Sequence, residues 1–96
     1  MIFTFHPLAK IELIDAVDYY EEERENLGLD FIEEVYAAIK RMLRFPKAWS
    51  KISENCHRCL VNRFPYGIIY QIKKNEIRII AIMHLNRKLG YWQRRI

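Results

Sequence analysis

Ninety-six residues, 51% of them hydrophobic and 14% aromatic, supply one small core and not two, and they exclude a disordered chain. The longest purely apolar run, Ile79 to Met83, is far too short to cross a bilayer, so no membrane partner is expected. The net charge of +4 hides a division: residues 1–39 carry ten acids and two bases, a net of −8, and residues 40–96 carry fourteen bases and two acids, a net of +12. Such asymmetry points to a surface that meets a polyanion or an acidic protein, or to an acidic helix face paired internally with basic strands. The opening "MIFTFHPLAK" has neither the basic start nor the long apolar stretch of a signal peptide, which makes a cytoplasmic protein the expectation.

Met1–Phe5 is short, apolar and β-prone and reads as a strand. His6 reads as a helix-start residue, and Pro7 suits the first helical position, where its missing N–H costs nothing. Ala9, Leu13, Ala16, Val17 and Tyr20 then recur at helical spacing, with the intervening acids facing water. Gly28 is expected to end this helix and Asp30 to cap the next. Phe31, Ile32, Val35, Ala38, Ile39, Met42 and Leu43 form a wide apolar stripe at period 3.6, which Pro46 stops. Acids near its start and bases near its end (Lys40, Arg41, Arg44) match the macrodipole. Two helices joined through one glycine read as an antiparallel hairpin.

Residues 46–55 read as a loop. The period then changes to two, and "HRCLVNRF", "GIIYQIKK" and "EIRIIAIMH" read as three strands. The first two are joined at Pro65-Tyr66, with Gly67 closing a type I turn, and the next pair at Asn75. Connections this short require antiparallel pairing. In the last strand Ile77, Ile79, Ala81 and Met83 are expected on one face and Ile80 and Ile82 on the other, so the strand should be covered on both sides. The expected fold is α+β: strand, two-helix hairpin, then a three-stranded antiparallel meander (β-α-α-β-β-β) in a single domain over residues 1–96.

Cys56 and Cys59 form "CHRC". Three residues apart on a strand, they point to opposite faces, and no second ligand pair accompanies them. Ordinary reduced cysteines are expected, with no metal and no cofactor.

The ordered pieces resemble the RelE/ParE superfamily of toxins from type II toxin–antitoxin systems, which includes plasmid stabilisation proteins. "PLAKIELIDAVDYYEEERENLGLDFIEEVYAAIKRMLRFP" looks like the family's helical hairpin, with Tyr19-Tyr20 and the Leu-Gly-x-x-Phe feature. "FPYGIIYQI" and "IRIIAIMHLNRKLGYW" look like its last strands and its His-x-x-Arg…Tyr-Trp ending. The resemblance implies a growth-inhibiting toxin neutralised by a cognate antitoxin, whose extended or helical segment wraps it in a hetero-oligomer. It also implies one of two targets: DNA gyrase, bound by ParE-type members, or mRNA on the ribosome, cut without a metal by RelE-type members.

Metal-free RNA cleavage needs a base, an acid and cations to stabilise the phosphorane. Arg58, Arg87 and Tyr91 match RelE-type positions, and His84 is either the general base or a structural residue fixing the turn that follows. Leu60 and Gly67, however, stand where two further cations would be expected. One lost donor at such a site is worth ~3 kcal/mol, which favours the ParE-like branch. On that reading Arg87, Lys88, Tyr91, Trp92, Arg94 and Arg95 form a surface for the target or the antitoxin, since Trp, Tyr and Arg dominate protein interfaces. Tyr91 and Trp92 either stack on a partner or pack back on the sheet. His57, on the opposite strand face from Arg58, is outside the site.

Overall fold

The computed structural model describes residues 1–96. Strand β1 (Ile2–Phe5) leads into helices α1 (Pro7–Glu23) and α2 (Leu27–Arg44). Four strands follow: β2 (Ser50–Lys51), β3 (His57–Leu60), β4 (Tyr66–Lys73) and β5 (Glu76–His84). The sheet order is β1-β5-β4-β3-β2. The expected meander is β3-β4-β5, antiparallel throughout, and β1 adds to β5 in parallel, Ile2 opposite Glu76 and Phe5 opposite Ile79. A helical crossover between them makes the parallel pairing possible. The two-residue β2 lies inside the expected loop, paired with Arg58 and His57.

Both helices pack on one face of the sheet. Ala9, Leu13 and Ala16 of α1 and Phe31, Val35, Ala38, Ile39 and Met42 of α2 meet Cys59, Ile68, Tyr70, Ile77, Ile79 and Ile82. Each large side chain buried here contributes ~1.5–3 kcal/mol of transfer free energy. His6 does start α1: its Nδ1 accepts a hydrogen bond from the Leu8 backbone N–H at 3.0 Å.

The helix junction departs from the sequence reading. Gly28 does not end α1; it lies in the first turn of α2, where a Cβ would stand 2.6 Å from the Val17 carbonyl oxygen. The glycine is needed for close approach of two helices rather than for a turn. Asn26 makes the turn, at φ 69°. The cap is not Asp30 but Glu21, whose carboxylate accepts from the backbone N–H groups of Asn26 (2.9 Å) and Gly28 (3.0 Å). A side chain reaching from the preceding helix thus satisfies donors that a local cap would have taken.

The β3–β4 connection is also longer than expected. β3 ends at Leu60, Arg63 takes a left-handed φ of 72°, and Gly67 is already in β4, opposite Leu60. Along β5 the alternation of faces breaks. Ile69 pairs with Ala81 but Tyr70 with Ile79, so Ile80 is an extra, bulged residue. Past the bulge the faces exchange: Ile82 joins Ile77 and Ile79 under the helices, while Ile80, Ala81 and Met83 share the other face. The strand is covered on both sides as expected, with Ala81, Met83 and Ile82 on the faces opposite to those the simple period assigns. Cys56 and Cys59 are free, buried and divided between the two clusters, one on each side of the sheet. Burial pushes both thiols up from their ordinary range.

Candidate functional site

The second face of β5 needs apolar cover, and the carboxyl-terminal segment supplies it. Leu85 N–H donates to the Pro65 carbonyl (2.9 Å) and Arg87 N–H to the His84 carbonyl (3.0 Å), which turns the chain back. Gly90, at φ 92°, allows a second reversal that most side chains would strain. Trp92 then enters a cluster with Cys56, Ile69, Ile80, Ala81 and Met83 and is only 1% exposed. Its assignment to a binding surface is therefore corrected: an indole beside a bare apolar strand face gains more by burial than by waiting for a partner.

The same folding-back builds a polar knot around Glu12 of α1. Its Oε1 accepts from the Ile82 backbone N–H (3.0 Å) and from Arg95 Nη1 (2.9 Å). Its Oε2 accepts from the Tyr91 hydroxyl (2.8 Å) and Arg95 Nη2 (3.0 Å). Arg95 also donates to the Ile80 carbonyl at the bulge (3.1 Å). The pairing is bidentate, the geometry that gives Arg–carboxylate contacts their strength. Arg87 adds a longer contact, Nη1 to Oε2 at 3.6 Å, and lies over the Tyr91 ring at 3.7 Å. Side-chain exposure separates the two arginines: 11% for Arg95 and 54% for Arg87. Arg95 is thus a fastening, whereas Arg87 is held at the surface by its cation–π contact.

Glu12 was expected to face water with the other acids of α1, so it is the residue that periodicity missed. The available signal was its place between Ala9 and Ala16, three residues after one and four before the other, where two small side chains let the sheet approach.

The structure gathers His84, Arg87 and Tyr91 around Glu12. A cleft of about 310 Å³ beside them is lined by Glu12, Asp15, Tyr19, Tyr66, His84 and Arg87, together with Ala16 and Ile82. The Tyr91 hydroxyl and His84 Nδ1 are already engaged in hydrogen bonds. The Tyr91 hydroxyl donates to Glu12; burial above all, and then that hydrogen bond, push its ionisation well above the ordinary phenol range, against the pull of Arg87 and Arg95. His84 Nδ1 accepts from the Asn86 backbone N–H at 3.0 Å, and its ring packs edge-on to Tyr66. Arg58 does not line the cleft. Its stem runs along Gly67, where a Cβ would lie 3.0 Å from both Cγ and Cδ. Leu60 and Gly67, the two positions without the expected cations, are direct cross-strand partners, so one patch of sheet lacks both charges. His57 lies on the other face, stacked on Tyr70 at 5.4 Å. No group of three or more His, Cys, Asp or Glu side chains is placed to hold a metal ion.

What remains outward is Arg87, Lys88 and Arg94, interleaved with Leu85 (40% exposed) and Leu89 (54% exposed). Cations and aliphatic side chains displayed together suit a protein partner. No helix of the chain is long and apolar enough to cross a membrane.

This is a helical hairpin on a five-stranded sheet with a basic carboxyl-terminal corner, and its fold is shared with a chain of a toxin–antitoxin structure. A chain from a solved structure described as "Chromosomal ParDE TA system from P. aeruginosa" superposes with a TM-score of 0.78 at 18% identity, over 90% of this chain and 97% of that one. At that identity the likeness shows the fold. The sequence goes further: the family model of the ParE toxin of type II toxin–antitoxin systems, parDE, matches residues 3–89, and the chain belongs to that family. A comparison with curated proteins finds no significant match. The matched span includes Glu12, His84, Arg87 and Lys88, while Tyr91, Trp92, Arg94 and Arg95 follow it.

Proposed function

We propose that this chain is a cytoplasmic toxin that arrests bacterial growth by binding its target, DNA gyrase, through the carboxyl-terminal corner, and that a cognate antitoxin neutralises it. The observation that carries the reading is the division of labour in residues 85–95. Trp92, Arg95 and the Tyr91 hydroxyl are spent on holding the segment down, and Leu85, Arg87, Lys88, Leu89 and Arg94 are left displayed. That is the composition of a docking surface with a rigid support. Family membership supports the toxin role and the antitoxin partner.

A second reading, a metal-independent endoribonuclease acting on ribosome-bound mRNA, has one observation in its favour: His84 and Arg87 line a common cleft. Against it stand a phenol held protonated and tied to Glu12, and the uncharged Leu60–Gly67 pair.

The experiment is induced expression without the antitoxin, with growth followed. The wild-type chain should arrest growth. Arg87→Ala should lose at least ten-fold in potency at matched protein level, and His57→Ala, altered outside the cleft, should retain it. Equal potency of the two variants removes the corner from the function.

A further inference from the structure

A second surface lies at the other end of the sheet. Tyr66 of β4 lines the cleft described above; Ile72, six residues along the same strand and so roughly 20 Å away at ~3.3 Å per residue, lines a different groove. This groove has a volume of about 520 Å³. Its apolar wall is Met1, Phe45 and Ile72, and its rim is Arg44, Lys47 and Lys74. Phe45 is 59% exposed although it is the C-cap residue of α2, and Met1 is 56% exposed. No carboxylate lines the groove, and none of the three rim cations forms an ion pair, in contrast to Arg24, Arg63, Arg87 and Arg95.

The groove is held open from below. The buried Tyr70 donates its hydroxyl to the Pro46 carbonyl at 2.6 Å, and Trp49 Nε1 donates to the Arg41 carbonyl at 3.4 Å, which fixes the loop after α2. A preformed apolar trough costs little ordering on binding. An uncompensated cationic rim selects against basic partners and speeds capture of acidic ones.

We infer that this groove binds the antitoxin, through an acidic amphipathic segment that seats one bulky apolar side chain between Phe45 and Ile72 and lays carboxylates over Arg44, Lys47 and Lys74. The inference rests on the antitoxin partnership proposed above and adds where and by what chemistry the partner is held. A concave trough with an apolar wall and a charged rim suits an extended or helical segment rather than the face of a folded domain. It also separates two roles. The antitoxin grips the Phe45 end, and the target-binding corner at Arg87 lies at the opposite end of β4.

The test uses the purified full-length chain and its full-length cognate antitoxin, with affinity measured by titration at low and high salt and neutralisation read as growth rescue. Phe45→Ala should weaken antitoxin binding at least ten-fold, as an aromatic anchor in a pocket does. Lys47→Glu combined with Lys74→Glu should weaken it at least as much at low salt and less at high salt. A single charge reversal at Lys40→Glu, on an exposed site outside the groove, should leave it unchanged. The groove variants should still arrest growth but escape rescue. Unchanged antitoxin affinity in the groove variants refutes the inference while leaving the toxin reading intact. The inference equally falls if those variants lose affinity for a 20-base-pair DNA duplex, or lose self-association, with antitoxin binding intact. A wild-type chain that binds no antitoxin refutes the toxin–antitoxin reading itself, and this inference with it.

Discussion

Replacing Glu12 by alanine tests how the carboxyl-terminal corner is built. The change removes the bidentate partner of Arg95, the acceptor of the Tyr91 hydroxyl and the acceptor of the Ile82 backbone N–H, all within 3.0 Å. Removing one partner of a buried ion pair costs ~3–5 kcal/mol, because the other charge stays behind. Two features place the loss at the lower end. Arg95 keeps its bond to the Ile80 carbonyl, and the contact with the half-exposed Arg87 is worth at most ~1 kcal/mol. Glu12→Ala should therefore lose about 3 kcal/mol, a large share of the ~5–15 kcal/mol that holds a small domain. Urea denaturation followed by tryptophan fluorescence is a suitable assay, since Trp92 lies under the same segment. Arg95→Met should recover part of the loss when combined with Glu12→Ala, with a coupling of ~2 kcal/mol. A Glu12→Ala loss below ~1 kcal/mol, additive with Arg95→Met, would refute the knot as a structural support.

Stability should also fall on mild acidification. Burial first, and then the charges of Lys51 and Lys47, hold the His57 pKa below its ordinary value; burial, Arg78 and Arg95 do the same for His6. The unfolded chain therefore binds more protons than the folded one below about pH 6.5, the ordinary imidazole value, so the urea midpoint should drop between pH 7.5 and 5.5. His57 Nδ1 is buried without a partner, and His57→Phe, which keeps the stack on Tyr70, should flatten that drop; equal slopes in the two proteins would refute it. Gly28→Ala should lower the melting temperature despite the better helix former. The added Cβ meets the Val17 carbonyl, an overpacking cost of ~1–3 kcal/mol against a propensity gain of ~1 kcal/mol. An unchanged or higher melting temperature would show that the helices part freely.

The element order was legible because periodicity reports local burial: each helix buries one definable face, and β4 and β5 read as apolar runs because they bury two. Phe31, Val35, Ala38, Ile39 and Met42 are under the sheet as the 3.6 period requires. Periodicity failed where one element answers another. Glu21 caps α2 from α1, seven residues before Gly28, and Glu12 satisfies an N–H 70 residues away; neither pairing follows from the spacing of apolar residues within one element. The bulge at Ile80 is a property of the β4–β5 pair, so a one-strand reading assigned Ala81, Ile82 and Met83 to the wrong faces. Trp92 was ambiguous for a similar reason. Its burial depends on a bare face of β5, which a one-strand reading does not reveal. Arg87 could be chosen from its spacing to His84 and Tyr91, but its distinction from Arg95 rests on exposure, which sequence does not carry.

Whether the displayed corner binds a target or cuts RNA is decided by two assays run side by side. Freshly released toxin should be added to purified gyrase with relaxed plasmid and, in parallel, to a purified translation system with mRNA ends mapped by primer extension. Supercoiling should be blocked, an effect lost in Arg87→Ala, with mRNA left intact. Ribosome-dependent cuts that disappear in Arg87→Ala, with supercoiling unaffected, would contradict the target-binding reading.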